Sequence, residues 1–308
     1  MKEFYLSVLL FSISLFISAK EYHVSVTGND TNNGSAIKPF KTINRAVEFA
    51  FPGDTITVHA GVYRELVNPI RGGESDANRI VYRAAPGEKV EIKGSEIISG
   101  WEKVKDGVWK VTIPDSFFGN YNPYHDSIYG DWFYGLGRIH HTGEVFLNGK
   151  SLFEKETLEK VLHPVANPKI DDPKGSTYTW YCKNNSNSTT IWANFHEFNP
   201  NKELVEISTR KSCIYPEQLF INYITISGFY ISEAATQWGA PTAEQVGMIA
   251  PHWCKGWIIE NNVISNSKCS GITLGKERES GQNVWSQDKE SINNDGNIHY
   301  IEVTFRVL

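Results

Sequence analysis

Acidic side chains near aromatic loops are the first residues of this chain whose types could do chemistry. Glu233 and Glu244 flank a loop that contains Trp238, and Glu277 and Glu279 follow the pair Gly275-Lys276. Two carboxyl groups held close together can act as nucleophile and proton donor at an acetal carbon. Acidic residues in loops are more often solvated surface charges, and we favour that interpretation for these four. We therefore predict no catalytic residue among them.

Three tryptophans in loops are candidate sugar contacts. Trp132, Trp238 and Trp253 lie near Gly or Pro and outside the predicted strands. A flat apolar ring packs well on the C–H face of a sugar, whose hydroxyl groups keep their hydrogen bonds. Packing against the protein wall is the competing role for each ring. We expect Glu277 and His252, with Trp253 beside them, to border the same groove.

The sequence predicts neither a cofactor nor a metal ion. The adjacent His140 and His141 point apart and have no evident third ligand. Carboxylates are not clustered as a calcium site requires. The cysteines have no C-x-x-C spacing. Cys254 and Cys269 could form a disulfide in an oxidising compartment, but buried free thiols are the favoured interpretation.

The first 19 residues are typical of a secretory signal peptide. Lys2 precedes an apolar run from Phe4 to Ile17, and Ser18-Ala19 offers a cleavage site. The run is too short for a comfortable membrane span, although an anchor helix is the alternative. We expect a secreted or periplasmic protein with no membrane span after cleavage.

Composition excludes one class of partner and favours another. The 308 residues carry 30 Lys and Arg against 35 Asp and Glu, without a basic cluster, so nucleic acid is not an expected partner. The chain has 9 Trp and 14 Tyr, an aromatic content that suits an oligosaccharide or polysaccharide substrate.

Short strands separated by polar turns dominate the rest of the sequence. One helix is predicted after Thr42, with Ile43, Ala46, Val47 and Ala50 on one face. Strands this short bury their inner faces only when successive coils stack. We predict an all-β fold, a right-handed parallel β-helix whose N-terminal end is capped by that helix. The predicted strands are 22–26, 55–59, 80–83, 90–92, 97–98, 224–226, 229–231, 257–259, 263–264 and 272–274.

The middle of the chain lacks this repetition and predicts an inserted β-sandwich. Asn148-Gly149 after the apolar 145–147 is a strong hairpin signal. The alternating segments 177–182 and 190–195 predict a second antiparallel pair. The expected organisation is a signal peptide at 1–19, first coils at 20–100, the inserted module at 101–205 and further coils at 206–308.

The C-terminal segment predicts a β-helix that is incomplete at its C-terminal end. The apolar-rich stretch 297–307 reads as a strand with no closing helix or polar cap after it. An uncovered strand edge favours pairing with another chain, so we expect self-association.

Several motifs make the chain similar to one enzyme family, and the likeness covers nearly all of the mature sequence. The motifs are Ser116-Phe117-Phe118-Gly119, Asn122-Pro123-Tyr124, Gly130-Asp131-Trp132, Val145-Phe146-Leu147-Asn148-Gly149, Ala234-Ala235-Thr236, Ala240-Pro241-Thr242-Ala243 and Lys255-Gly256-Trp257-Ile258-Ile259-Glu260-Asn261-Asn262. Together they resemble glycoside hydrolase family 120, β-xylosidases built on a parallel β-helix with an inserted β-sandwich. The opening segments 21–30 and 53–65 resemble exported β-helix carbohydrate enzymes more generally.

The resemblance implies retaining hydrolysis of xylosides from xylo-oligosaccharides. In that family an Asp nucleophile and a Glu acid/base lie on later coils, and we expect this chain to end before them. Two alternatives stay open, because fold does not determine function. A polysaccharide lyase on the same fold would have a groove rich in Lys and Arg. A non-catalytic carbohydrate-binding protein would have aromatic residues without a close carboxyl pair.

Overall fold

The computed structural model describes residues 19–129, 133–238, 246–252 and 254–273. These residues are mostly β-structure, with the two short helices α1 (Ile43–Phe49) and α2 (Leu158–Leu162). The strands in chain order are β1 (Glu21–Val24), β2 (Thr55–Val58), β3 (Gly61–Tyr63), β4 (Ile80–Ala84), β5 (Val90–Lys93), β6 (Ser95–Ile97), β7 (Glu102–Lys105), β8 (Val108–Pro114), β9 (Val145–Leu147), β10 (Lys150–Ser151), β11 (Phe153–Glu154), β12 (Thr179–Asn184), β13 (Ser188–Asn194), β14 (Val205–Ser208), β15 (Ile224–Ser227), β16 (Tyr230–Ser232), β17 (Ile258–Glu260) and β18 (Val263–Ser265).

Two sheets of the structure are entirely parallel. One has the strand order β1-β2-β4-β15-β17, and the other has the order β3-β5-β16-β18. A third parallel ladder consists of single bridges that join Val67 to Ile214, Ile214 to Ile249 and Ile249 to Ile272. Successive passes of the chain therefore lie directly on one another in three places.

A column of side chains at matching positions explains why such short strands are stable. In the first sheet Ile56, Tyr82, Ile226 and Ile259 are aligned by the strand register, and each is no more than 2% exposed. In the second sheet Ile92 and Ile231 are aligned and buried in the same way. These residues belong to one hydrophobic cluster with the residues of the third ladder. Most predicted strands are found in these ladders, with ends that differ by one or two residues.

Helix α1 begins at its predicted cap and ends at Phe49, one residue before the last residue of its predicted apolar face, Ala50. The Thr42 hydroxyl accepts a hydrogen bond from the backbone N–H of Arg45 at 3.2 Å, which satisfies one of the first amide groups. Ile43, Ala46 and Val47 are buried in the cluster that also contains β1 and β2. The chain becomes extended at Ala50, two residues before Pro52. The predicted amphipathic helix is confirmed, and its role as an end cap stays a prediction.

From β6 to β14 the chain leaves the parallel ladders and forms two mainly antiparallel sheets. Their strand orders are β10-β9-β14-β6 and β11-β12-β13-β8-β7. Side chains from both sheets, including Leu147, Ile207, Trp180 and Ile191, form a second hydrophobic cluster. We call the residues from β6 to β14 the antiparallel module.

Both predicted antiparallel pairs in this module are confirmed. Strands β9 and β10 pair across Asn148 and Gly149, whose φ angles of 52° and 78° are those of a type I′ turn. Strands β12 and β13 pair with each other, and β13 also pairs with β8. Ile97 differs from its prediction as a coil strand, because β6 runs antiparallel to β14. The Ile97 side chain is apolar but 56% exposed, so a prediction based on hydrophobicity alone assigned this strand to the wrong sheet.

Two further findings concern the cysteines and the helices. All four cysteines are free thiols, and three of them are buried. Cys254 and Cys269 therefore form no disulfide with each other. Within the described ranges, neither helix is long or apolar enough to cross a membrane.

Candidate functional site

Two of the five predicted site residues, Trp238 and His252, lie in the described part of the chain. Trp132, Trp253 and Glu277 lie outside the described residues. Along the chain Trp238 precedes and His252 follows Ile249, a residue of the third parallel ladder. The structure does not test whether these five residues share a groove, and that stays a prediction.

Trp238 lies where the loop after β16 meets the antiparallel module. Its indole side chain is 36% exposed, and its backbone N–H donates to Gln237 Oε1 at 3.0 Å. The Gln237 amide donates to the Ser127 carbonyl at 2.9 Å and accepts from the Tyr129 N–H at 3.3 Å. The backbone at Trp238 is therefore held beside the module by the side chain of Gln237.

His252 is held by a ring contact and a hydrogen bond. Its ring stacks on Tyr215 with 4.9 Å between ring centroids and 26° between the ring planes. Nδ1 lies 3.0 Å from the Pro216 carbonyl oxygen, so this nitrogen carries the proton and donates. A histidine held in this way has a defined tautomer and orientation.

Glu233 differs from its predicted role as a solvated loop charge. Its side chain is 2% exposed. It accepts hydrogen bonds from Lys93 Nζ at 2.9 Å and from Ser95 Oγ at 2.5 Å. Its backbone has a φ of 66°, which is uncommon for a residue with a side chain. Glu244, which the sequence predicts to be a solvated charge on the other side of the same loop, lies outside the described residues.

Glu233 belongs to a buried polar group that the sequence did not reveal, which we call the root network: Arg64, Lys93, Ser95, Glu206 and Glu233. Lys93 Nζ donates to both Glu206 oxygens, at 2.8 and 2.9 Å. Arg64 donates to Glu206 at 2.6 Å and to the Ser95 hydroxyl at 3.0 Å. The network holds two cations and two carboxylates, so its formal charges balance.

The root network joins the parallel coils to the antiparallel module. Lys93 ends β5, Glu206 lies on β14 of the module, and Glu233 follows β16. Burial raises the pKa of Glu233, and the Glu206 carboxylate adds to this, although hydrogen bonds from Ser95 and Lys93 oppose it. Burial alone would lower the pKa of Lys93, but its hydrogen bonds to Glu206 and Glu233 raise it.

The spacing of Glu206 and Glu233 resembles that of a catalytic pair, but their burial does not. Oxygens of the two residues are no more than about 5.7 Å apart, because Lys93 Nζ lies 2.8 Å from one and 2.9 Å from the other. Retaining glycosidases hold their carboxyl groups about 5 Å apart. Here the side chains are 0% and 2% exposed and a lysine lies between them, so no sugar reaches them. We assign the pair a structural role.

A second polar group joins the module to the coil that contains β18. Lys268 Nζ lies 3.0 Å from Glu144 and 3.9 Å from Glu154. The Trp180 indole N–H donates to Glu144 at 3.1 Å, and His141 Nδ1 lies 2.6 Å from Glu154. Burial raises the pKa of Glu144, and the Lys268 cation opposes this shift.

His141 and His140 have separate partners, as expected for adjacent side chains. His141 pairs with Glu154, whereas the His140 ring contacts the guanidinium of Arg138 and the Gly135 carbonyl. In the described part of the chain, no group of three or more His, Cys, Asp or Glu residues is arranged to hold a metal ion.

Comparison with known families assigns the antiparallel module. Residues 98–207 match the family model described as glycoside hydrolase 120, insertion domain. Residues 26–68, in the first coils, match a protein family of unknown function, DUF1565. The insertion-domain match begins just after β6 and ends within β14, close to the places where the structure changes between parallel and antiparallel strands.

Two known proteins extend the comparison. A solved structure of XylC in complex with xylose is 46% identical and has a TM-score of 0.83, covering 85% of this chain and 43% of that chain. The uncharacterized protein YwoF of Bacillus subtilis (strain 168) is 35% identical over 75 residues, or 24% of this chain and 16% of its own length. The chain thus spans less than half the length of either relative.

The module's strand topology, its family match and the similarity to XylC agree with one another. Residues 98–207 thus match a glycoside hydrolase family 120 insertion domain, and the fold of this chain is similar to that of XylC over 85% of its length.

Proposed function

We propose that this chain is part of an exported retaining β-xylosidase that acts on xylo-oligosaccharides. The observation that carries the proposal is the 46% identity to XylC, which binds xylose in its solved structure, over 85% of this chain. The insertion-domain match supports a glycoside hydrolase rather than another β-solenoid protein.

The proposed architecture is a right-handed parallel β-helix with an inserted β-sandwich and α1 at its N-terminal end. Three parallel ladders around one hydrophobic cluster support the helix. Two sheets that share a second cluster support the sandwich. We retain the division into residues 1–19, 20–100, 101–205 and 206–308, with the first segment as a signal peptide of a secreted or periplasmic protein.

The substrate groove in this proposal is bordered by Trp132, Trp238, His252, Trp253 and Glu277. The exposed indole of Trp238 supports a sugar-stacking surface beside the insertion domain. The fixed ring of His252 supports a border of defined geometry. No catalytic residue is proposed, because the closely spaced pair Glu206 and Glu233 is buried.

The test is a product analysis of the purified full chain with xylobiose, an aryl β-xyloside and a polyuronide. A β-xylosidase releases xylose, and retention is seen by NMR as β-xylose forming first. An unsaturated uronide product would instead establish the polysaccharide lyase alternative. Binding of xylobiose without turnover is expected if this chain lacks the catalytic carboxyl pair, and a non-catalytic binding protein would give the same result. Absence of both binding and turnover would refute the proposal.

A selectivity control makes the substrate class testable. The same assays are run with cellobiose, which differs from xylobiose by a hydroxymethyl group on each ring. A site shaped for xylosyl units should bind xylobiose at least about tenfold more tightly, since a misfitted group costs on the order of 1–3 kcal/mol. Equal binding of the two disaccharides would contradict the proposed substrate.

A further inference from the structure

The insertion domain has an open cavity of about 470 Å³ that the proposed function does not use. The β9–β10 hairpin forms one wall, and the segments around Tyr178 and Phe198 form the other. Small-molecule sites typically have volumes of about 300–1,000 Å³. The cavity is therefore large enough for a small ligand.

Three aromatic rings give the cavity apolar surfaces. Phe153 is 43% exposed although it is a large apolar side chain. The rings of Tyr178 and Phe198 lie 6.4 Å apart with their planes at 45°. Tyr178 is also held edge-on against His196, with ring centroids 4.6 Å apart. The position of the tyrosine ring is thus fixed before any ligand arrives.

The charged groups of the lining have a negative balance. Asp172 and Glu197 contribute carboxylates, and Lys150 contributes the one cation among the lining residues. Asp172 accepts from the Gly175 N–H at 2.8 Å, and Glu197 lies 3.4 Å from the Tyr178 hydroxyl. Carboxylates accept hydrogen bonds from sugar hydroxyls and repel a uronate.

We propose that this cavity binds a neutral xylosyl unit of an oligosaccharide chain. Aromatic rings beside carboxylate acceptors are complementary to a sugar ring, whose C–H face is apolar and whose edge carries hydroxyl groups. The choice of xylose rather than another neutral sugar rests on the proposed function. The insertion domain thereby gains a role in holding substrate.

The test measures xylotriose binding to the full chain and to two matched variants. Phe153→Ala removes a ring in the cavity, and Phe117→Ala removes a ring that is also 43% exposed but is not among the lining residues. We expect Phe153→Ala to weaken binding by about two- to tenfold, because stacking on one ring contributes roughly that factor. Phe117→Ala should bind as the unaltered chain does, and thermal unfolding verifies that both variants are folded.

A charge variant tests the ligand class. Glu197→Gln keeps an acceptor oxygen but removes a negative charge, so we expect weaker discrimination against a xylo-oligosaccharide that carries glucuronic acid. Hydrogen exchange should show protection of residues 147–153 and 175–178 by xylotriose. Unchanged binding in Phe153→Ala, equal loss in both phenylalanine variants, or protection confined to other segments would overturn the proposal.

These outcomes separate the cavity from the proposed function. If the chain binds xylotriose and Phe153→Ala has no effect, the cavity proposal fails and the xyloside specificity survives. If the chain binds no xylotriose, the cavity proposal fails, and the product analysis decides the proposed function independently.

Discussion

Replacing Lys93 by methionine should show how much the root network contributes to stability. Lys93 donates hydrogen bonds to Glu206 and Glu233 from a side chain that is 8% exposed. Lys93→Met keeps most of the side-chain volume but leaves the network with one uncompensated negative charge. Breaking a buried ion pair in this way costs about 3–5 kcal/mol. Domains of this kind have total stabilities of about 5–15 kcal/mol, so the variant should fold with a clearly reduced stability.

The assay is urea unfolding followed by tryptophan fluorescence, with an exposed lysine as the control. Lys89 forms an ion pair with Glu91 at 2.7 Å, but its side chain is 62% exposed. Lys89→Met should therefore cost less than about 1 kcal/mol. The contrast between the two Lys→Met variants isolates burial as the reason for the difference.

A double variant tests whether charge imbalance is the cause. Lys93→Met with Glu233→Gln leaves Arg64 and Glu206 as a balanced pair and should recover much of the lost stability. A double variant that is no more stable than Lys93→Met alone would refute this reasoning. Loss of packing around the lysine would then be the better explanation.

The pH dependence gives a second check. The pKa of Glu233 is raised in the folded state, so the folded chain binds its proton more tightly than the unfolded chain does. This contribution favours folding at low pH and is lost as pH rises through the raised pKa. Without the Lys93 cation that opposes the shift, the pKa should rise further. The deficit of Lys93→Met should therefore shrink in acid, and a deficit independent of pH would count against the mechanism.

Three further predictions concern other parts of the fold. Burial raises the pKa of Glu144, so the unaltered protein should lose stability as pH rises through that pKa. In thermal unfolding measured at several pH values, Glu144→Gln should lack this dependence of stability on pH. An identical pH dependence in the variant would argue that Glu144 is not its source. Gly149→Val should cost about 1–2 kcal/mol in urea unfolding, because a residue with a side chain is strained at the φ of 78° that Gly149 adopts. A Cβ there would have no neighbour within 4 Å, so this cost comes from the backbone and not from a clash. An unchanged midpoint would be inconsistent with the type I′ turn. Burial raises the pKa of Cys213 to about 12 and that of Cys269 to about 11. Iodoacetamide should therefore label the partly exposed Cys269 first and Cys213 only after unfolding, which mass spectrometry can show. Rapid labelling of Cys213 in the native state would contradict its burial.

The parallel coils were predictable because their signal is local. Each short strand, such as 80–83 or 224–226, shows its apolar positions and is bounded by turn residues. Helix α1 and the Asn148-Gly149 hairpin have equally local causes, a capping hydroxyl in one case and positive φ angles in the other. These elements therefore followed from a few neighbouring residues.

The root network was not predictable, because its members are far apart in the chain. Lys93 is 113 residues from Glu206 and 140 residues from Glu233. A glutamate in an alternating strand normally predicts a solvent-facing position, and one in a loop predicts a solvated charge. Only the meeting of β5, β14 and the segment after β16 turns these three charges into a buried group. For the groove, three of the five predicted residues lie outside the described part, so that prediction stays untested.

The ends of the insertion domain meet, since Ser95 pairs with Ser208 across β6 and β14. The coils on either side continue in register as though nothing intervened, with Glu91 of β5 paired with Tyr230 of β16. An excursion that returns to its point of departure adds little to the entropy of closing the chain, because each doubling of its length costs only about 0.6 kcal/mol. The length of the domain is thus nearly independent of the geometry of the coils, and the ion pairs of the root network are what ties the two together.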